Sequence, residues 1–427
     1  MKADHQTSPA VARPGAALAL RPVDESGVDD ALRLAAIVFH DHPADEIRER
    51  HRELLLRCQR FGAYDGDRLV GFLAALPLSL SVPGGELPCA GVTFVCVLPT
   101  HRRRGVLTAL MGELWRAGAR QGRPLAALWA ADAAVYGRFG FAFATSGMTV
   151  EIDSDCPLGL RVEADPRPLR LLEGPDAREV VAPLHERSRA ARAGRPRRDG
   201  WWWDTLVLPE QDEEDDELGP PLVVVLGDVD AEEPPAGYAV YRTRPGGDDA
   251  GSPGLVQVQE FEADGPGAAA ALWRYLADID LTTRVRCWAV PEDDPLPLMA
   301  ADPGQVRVTQ TFGCLWLRLA DVRQALLARA WAAPVDLVLQ VHDGVLRGNA
   351  GRFRLTVGAD LAVTYEASDD PADLTLDVRE LAACYLGDAR LTRFVRAGLA
   401  TEHRPGAARA LDAALRTEHL PFTLDEF

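Results

Sequence analysis

A chain of 427 residues exceeds the roughly 250–300 at which one hydrophobic core stops growing, so about three domains are expected. With 47% apolar and 26% charged residues, the composition is that of an ordinary folded protein and excludes wholesale disorder, a collagen-like chain and a coiled coil. The net charge of −18 excludes a basic nucleic-acid footprint and leaves polycationic partners electrostatically open.

Residues 1–16 are Pro-, Ala- and polar-rich and read as a disordered tail. Asp4 stands where a signal peptide carries basic residues, and Ala16 to Leu20 is too short for its apolar segment, so no export signal is expected. The longest apolar stretch, Leu69 to Val82, is interrupted by Pro77 and falls short of a bilayer span, which makes a cytoplasmic protein without a membrane partner the expectation. Ala17 to Arg21 predicts a strand and Val28 to Phe39 an amphipathic helix. Arg68 to Leu76 and Leu78 to Val82 predict two strands, Pro83-Gly84-Gly85 a turn, and Gly91 to Leu98 a strand stopped by Pro99. From Val106, the residues Leu107, Leu110, Met111 and Leu114 repeat at the spacing of one buried helix face, and Leu125 to Trp129 returns to strand. The order is β-α-β-β-β-α-β.

A weaker copy follows: strands at Leu222 to Leu226, Gly237 to Arg242 and Leu255 to Glu262, a helix at Ala268 to Ala277, and a strand at Val285 to Val290. Val258 to Gly267 takes the place of Val95 to Gly105 but lacks its arginines. The last hundred or so residues change style, with short strands at Leu337 to Val341, Arg352 to Val357, Leu361 to Tyr365 and Leu374 to Val378 and helices near 379–386 and 404–417. The division expected is 17–150, 151–320 and 321–427, in an α+β chain with α/β-type mixed sheets.

Seven cysteines, widely spread and without a C-x-x-C, indicate reduced and mostly buried thiols rather than disulfides or a zinc site. Residues 210–233 hold eleven Asp or Glu and no Lys or Arg, which leaves −7 for the remainder; the run reads as a solvated loop. Trp201-Trp202-Trp203, flanked by Asp199 and Asp204, reads as core packing against the second domain rather than as a base-stacking platform. His40 and His42 flank Asp41 without a third ligand at metal spacing, so no metal site is expected.

The informative run is Val95-Cys96-Val97-Leu98-Pro99-Thr100-His101-Arg102-Arg103-Arg104-Gly105-Val106-Leu107-Thr108. A strand ends, basic residues crowd a turn, and a glycine opens a helix whose first N–H groups face outward. Free amides, the helix dipole and guanidinium groups together favour a phosphate or diphosphate there.

This run resembles the acyl-CoA diphosphate loop of Gcn5-related N-acetyltransferases, R/Q-x-x-G-x-G/A, with Arg102, Gly105 and Leu107 in its places; Leu107 departs from the usual small residue. The P-T-H-R-R-R-G wording, Tyr136-Gly137-Arg138-Phe139-Gly140 and the terminal Glu426-Phe427 make nearly the whole chain similar to the enhanced intracellular survival (Eis) family of acetyltransferases. The resemblance implies tandem acetyltransferase folds, the second degenerate, and a C-terminal domain like sterol carrier proteins. It implies acetyl-CoA as co-substrate, its pantetheine against Val95, Cys96 and Val97, its diphosphate on Arg103, Arg104, Gly105, Val106, Leu107 and Thr108, and a further contact at Ala131 and Asp132. It implies Tyr136 as general acid toward the CoA sulfur and the α-carboxylate of Phe427 as base, reaching back into the first domain. Asp41 and Glu426 are carried over as acidic walls for a substrate ammonium. The acceptors implied are cationic, aminoglycoside-like amines or protein lysines, and the assembly a homohexamer. The rival reading is a non-catalytic acyl-CoA or lipid-binding protein that uses the sterol-carrier-like domain.

Overall fold

The computed structural model describes residues 18–172, 175–213, 215–246 and 254–427. The tail expected at 1–16 lies outside them, as does Glu214 of the acidic run. Two compact units result, one made of residues up to Ala75 with Thr93–Ala117, the other of Leu76–Val92 with Gly118–Phe427.

In the first unit, β1 (Ala19–Pro22) pairs antiparallel with β2 (Gln59–Asp65), and β2 with the start of β3 (Arg68–Val82). Helix α1 (Val28–Phe39) has the predicted bounds, buries Val28, Ala31, Leu32, Leu34 and Ala35, and ends on His40 in the left-handed conformation (φ 59°). Helix α2 (Asp45–Arg57) and β2 were not predicted. Only Ile47, Leu54 and Leu55 of α2 are buried, too few apolar residues in a charged segment for the helical period to stand out. The two strands predicted around Pro77 are one, β3, because Pro77 sits at an exposed position and its fixed φ suits extended backbone. β4 (Gly85–Val97) leads to α3 (Val106–Arg120). A Cβ at Gly71 of β3 would come within 2.5 Å of Val106 Cγ1, so the missing side chain lets the start of α3 sit on the strand.

In the second unit, β4 pairs parallel with β5 (Leu125–Leu128), over Cys89–Gly91 and Leu125–Ala127. A short α4 (Ala133–Tyr136) and β6 (Ala142–Phe143) follow. β7 (Ser146–Asp153), β8 (Leu169–Leu172), α5 (Pro175–Ala191), the single turn α6 (Gly200–Trp202), β9 (Leu222–Leu226), β10 (Gly237–Arg244), β11 (Leu255–Ala263), α7 (Pro266–Ala277), β12 (Arg284–Pro291), α8 (Leu296–Met299) and β13 (Val306–Gly313) build the repeat. Its sheet runs β13-β7-β12-β11-β10-β9-β8, whereas β14 (Trp316–Leu319) returns to the first sheet, β1-β2-β3-β4-β5-β14-β6. Helix α7 buries Leu272, Trp273 and Leu276 among Val256, Val258 and Val285, and this apolar layer holds the repeat together.

Helix α9 (Val322–Ala328) starts on Asp321, whose carboxylate caps the Gln324 amide at 2.9 Å. Beyond it, β15 (Val335–His342), β16 (Gly351–Val357), β17 (Val363–Ala367), β18 (Leu374–Asp377) and β19 (Ala400–Glu402) form a third sheet ordered β17-β16-β15-β18-β19. Helices α10 (Val378–Tyr385), α11 (Leu391–Arg396) and α12 (Ala407–Leu415) accompany it. The strand predicted from Leu361 begins at Val363, because Leu361 takes φ 63° and belongs to the turn.

The acidic run is not simply a solvated loop. Arg242 of β10, with no exposed surface, donates to the carbonyls of Pro209, Glu210 and Gly219 at 2.5–3.1 Å, Asp212 accepts from Gln259 at 3.0 Å, and Arg244 pairs with Asp215 at 3.0 Å. Part of the charge is thus neutralised by arginines distant in sequence. Trp202 and Trp203 are buried, and Trp203 packs with Val223, Val225, Tyr238 and Val240 of the repeat, as expected. Six of the seven cysteines are buried, and Cys156 is exposed.

Candidate active site

The predicted residues fall in both units. Asp41, Val95 to Val97 and Arg103 to Thr108 belong to the first; Ala131, Asp132, Tyr136, Glu426 and Phe427 belong to the second.

In the first unit, β4 is bent near its end. Phe94 adopts φ 49°, a conformation costly for an aromatic residue, three residues beyond Gly91, where pairing with β5 stops. Cys96 points inward, its thiol pushed to about 12 by burial, so a ligand on this strand would meet backbone and the half-buried Val95 and Val97. The chain then turns through Pro99–His101, where buried His101 is held between Thr100 Oγ1 (2.9 Å) and Asp65 Oδ2 (3.2 Å). Arg103 (φ 61°) and Gly105 (φ 81°) are both left-handed, and a Cβ at Gly105 would meet nothing within 4 Å. Glycine is therefore demanded by the backbone angle, and the space before the loop is open. The first bond of α3 runs from the Ala109 amide to the Gly105 carbonyl at 3.0 Å, which leaves the amides of Val106, Leu107 and Thr108 ahead of the ladder. Arg103 and Arg104 are exposed, and among the described residues no carboxylate pairs with either. Three outward amides and two uncommitted guanidinium groups suit a diphosphate. Asp41 is exposed in the α1–α2 connection.

In the second unit, Ala131 is exposed and Asp132 caps α4 by accepting from the Ala134 amide at 3.0 Å, so its carboxylate already has a structural task. Tyr136 closes that helix, half-buried, edge-on to Phe141 at 6.1 Å. The C-terminal segment is tied down rather than frayed. The Leu420 amide donates to Asp293 (2.8 Å), the Leu420 carbonyl accepts from Arg192 (2.6 Å), and Phe422 is buried with Ala289 and Cys314. Glu426 is exposed. Phe427 is half-buried, its ring 6.3 Å from that of Trp202, and a Cβ at Gly91 would lie 2.9 Å from the Phe427 ring, so glycine in β4 makes room for the last residue.

Sequence reasoning missed what holds this segment. Asp425 is buried and accepts from Arg198 Nε (2.7 Å), Trp202 Nε1 (3.0 Å) and Thr423 Oγ1 (2.9 Å), while its carbonyl accepts from Trp129 Nε1 (2.7 Å). Arg198 also binds both oxygens of Glu260, at 3.0 and 2.5 Å, and Tyr238 donates to the same carboxylate. Burial alone would lower Arg198, but the carboxylates of Asp425 and Glu260 overcome it and hold the guanidinium firmly protonated. Burial alone would raise Glu260, and Arg198 outweighs that too. The available signal was Glu260 and Glu262 standing on a strand that is otherwise apolar at alternate positions.

The comparisons agree with this architecture. An acetyltransferase (GNAT) domain model matches residues 19–144, a second acetyltransferase (GNAT) domain model residues 194–323, and a sterol carrier protein domain model residues 322–423. An N-acetyltransferase of Streptomyces avermitilis without assigned role is 37% identical over 87% of this chain and 90% of its own length. The N-acetyltransferase Eis of Mycobacterium tuberculosis is 34% identical over 86% of this chain and 88% of its own. The crystal structure of Eis1 from Mycobacterium abscessus superposes with a TM-score of 0.82 at 32% identity, covering 96% of this chain and 100% of that one. Two acetyltransferase folds, a sterol-carrier-like third domain and this likeness across almost the whole length place the chain in the Eis family of GNAT N-acetyltransferases.

Proposed function

We propose that the chain transfers acetyl from acetyl-CoA to primary amines of cationic, aminoglycoside-like small molecules or of protein lysines. The observation that carries this reading is the turn from β4 into α3, where Arg103 and Arg104 stand exposed before three outward helix amides. Arg103 to Thr108 hold the diphosphate and the backbone of Val95, Cys96 and Val97 holds the pantetheine; Ala131 and Asp132 add a contact, through backbone on the Asp132 side because its carboxylate caps α4.

The acceptor amine attacks the thioester carbonyl as a neutral nitrogen, and CoA leaves as a thiolate that gains from a proton. Tyr136 supplies that proton and the α-carboxylate of Phe427 receives one from the amine. An α-carboxyl of pKa about 3.5 is a weak base toward an ammonium, so it works through a water or by holding positive charge at the nitrogen. Asp41 and Glu426 attract the ammonium groups; both are exposed. The excess of acid over base supports a cationic acceptor over nucleic acid.

Membership of an N-acetyltransferase family sets aside the rival reading of a non-catalytic lipid or acyl-CoA binder. The division at 17–150, 151–320 and 321–427, the cytoplasmic setting and the homohexamer belong to the same proposal and rest on the family likeness. No helix among the described residues is long and apolar enough to cross a membrane. The deciding experiment follows thiol release from acetyl-CoA with polyamines, aminoglycosides and lysine peptides, and light scattering of the same preparation. Turnover with none of the three classes overturns the proposal.

A further inference from the structure

The last eight residues, Leu420 to Phe427, carry no helix or strand, yet their side chains and backbone are engaged nearly throughout. Asp425 is the centre of that attachment. Its side chain and carbonyl accept four hydrogen bonds, from Arg198, Trp202, Trp129 and Thr423 of the second unit, and behind Arg198 stand Glu260 of β11 and Tyr238 of β10. A neighbouring pair lies alongside, in which Glu262, two residues beyond Glu260 on β11, binds Arg195 of the α5–α6 connection. A relay therefore runs from the repeat's sheet to the chain end: Tyr238 to Glu260, Glu260 to Arg198, Arg198 to Asp425.

Such a buried network is a costly way to gain stability, since desolvating several charges offsets most of their attraction. Its geometry is what it contributes. Fixing Asp425 at both side-chain oxygens and at its carbonyl leaves Glu426 and Phe427 with two residues of freedom, and the Phe427 ring is held between Trp202 and Gly91.

We propose that Asp425 is a positioning residue for acetyl transfer: clamped by Arg198, Trp202 and Trp129, it fixes where the carboxylates of Glu426 and Phe427 stand. The second acetyltransferase fold thereby works for the first through Glu260, which orients Arg198. This inference rests on the reading that one of those last two carboxylates serves the reaction.

The test uses the full chain. Asp425→Ala removes the clamp, and Asp425→Asn keeps an oxygen able to accept from Arg198 and Trp202. Turnover is expressed per acetyl-CoA bound at saturation, measured by calorimetry on the same sample, so that unfolded protein does not count. The expected order is a loss of at least 30-fold in kcat for Asp425→Ala and less than 5-fold for Asp425→Asn, with KM for acetyl-CoA within 2-fold in both. Trp202→Phe, which keeps the ring and drops one donor, lowers kcat 3- to 5-fold and serves where Asp425→Ala does not fold. A purely structural Asp425 predicts lower melting temperatures with unchanged kcat per bound acetyl-CoA, and that result overturns the proposal. A chain extended by one glycine after Phe427, and Glu426→Gln, separate the two readings. If neither changes kcat, the terminal carboxylates are idle and the underlying reading fails; if either lowers kcat while Asp425→Ala and Trp202→Phe do not, only the clamp fails.

Discussion

Replacing Arg103 and Arg104 together by alanine tests the cofactor assignment most directly. A charge-assisted hydrogen bond is worth about 1.5–3 kcal/mol, but both guanidinium groups are exposed, so solvent and salt screening bring each toward ~1–1.5 kcal/mol. The pair then contributes ~2–3 kcal/mol, about 30- to 150-fold in KM for acetyl-CoA. The amides of Val106, Leu107 and Thr108 survive the change, so binding weakens without vanishing. Neither side chain is buried, so melting temperature should hold. The assay is thiol release against acetyl-CoA concentration, repeated with S-acetylpantetheine, which lacks the diphosphate. Wild type and double variant should use the shorter donor equally poorly. A KM for acetyl-CoA within threefold of wild type, or an equal loss with S-acetylpantetheine, would refute the anion-site argument.

Three other changes probe the second unit. Tyr136→Phe keeps the ring against Phe141 and removes its proton, so kcat should fall by about 10²–10⁴-fold at unchanged melting temperature; near-normal kcat would assign the tyrosine to packing. Extending the chain beyond Phe427 converts the α-carboxylate to a peptide bond, so turnover should collapse, and an extended enzyme running at the original rate would move the base to Glu426 or a water. Asp294 is pushed up to about 6 by burial, against an ordinary value of 3.8. The folded chain thus keeps a proton at Asp294 that the unfolded chain gives up, and this group's contribution to stability falls as pH rises from about 4 to 6. Asp294→Asn, which can still accept from the Leu296 amide (2.9 Å), should remove that contribution, so that the variant gains on wild type as pH rises and is more stable at pH 7 by ~2–3 kcal/mol. Denaturant titration at pH 4, 5, 6 and 7 decides it, and an unchanged slope refutes the assignment.

Long elements with a strong period were legible: α1, α7 and the strands of the repeat lie within a few residues of their predicted bounds. The arginine-rich turn from β4 into α3 was legible too, because strand, arginines, glycine and helix are contiguous there. What sequence concealed was non-local. Strand β14 leaves the repeat to pair with β5, and β7 leaves the first fold to pair with β12 and β13; pairing partners so far apart leave no mark on local periodicity. Asp425 and Arg198 were overlooked for the same reason, since each looks like an ordinary surface charge until the fold buries its side chain, and Glu260 left only its place on an alternating strand as a sign.

The repeat offers a last argument about division of labour. Like β4 beside β5, its β11 pairs parallel with the next strand, over Leu255–Val258, and leads through a glycine turn into a helix. The turn lacks the features that make the first one a candidate anion site. Asp264 replaces the cations and pairs with Arg187 at 2.5 Å, and Pro266 at the first helical position removes one of the amides. At the strand position where the proposed pantetheine site lies on β4, β11 turns Glu260 and Glu262 toward Arg198 and Arg195, so that position is occupied by protein. Calorimetric titration should therefore give one acetyl-CoA per chain, weakened about 30- to 150-fold by loss of Arg103 and Arg104 and indifferent to Glu262→Gln. Two molecules bound per chain, or a residual full-strength site in the Arg103→Ala, Arg104→Ala variant, would show that the repeat has kept a cofactor site which Asp264 and Pro266 should have closed.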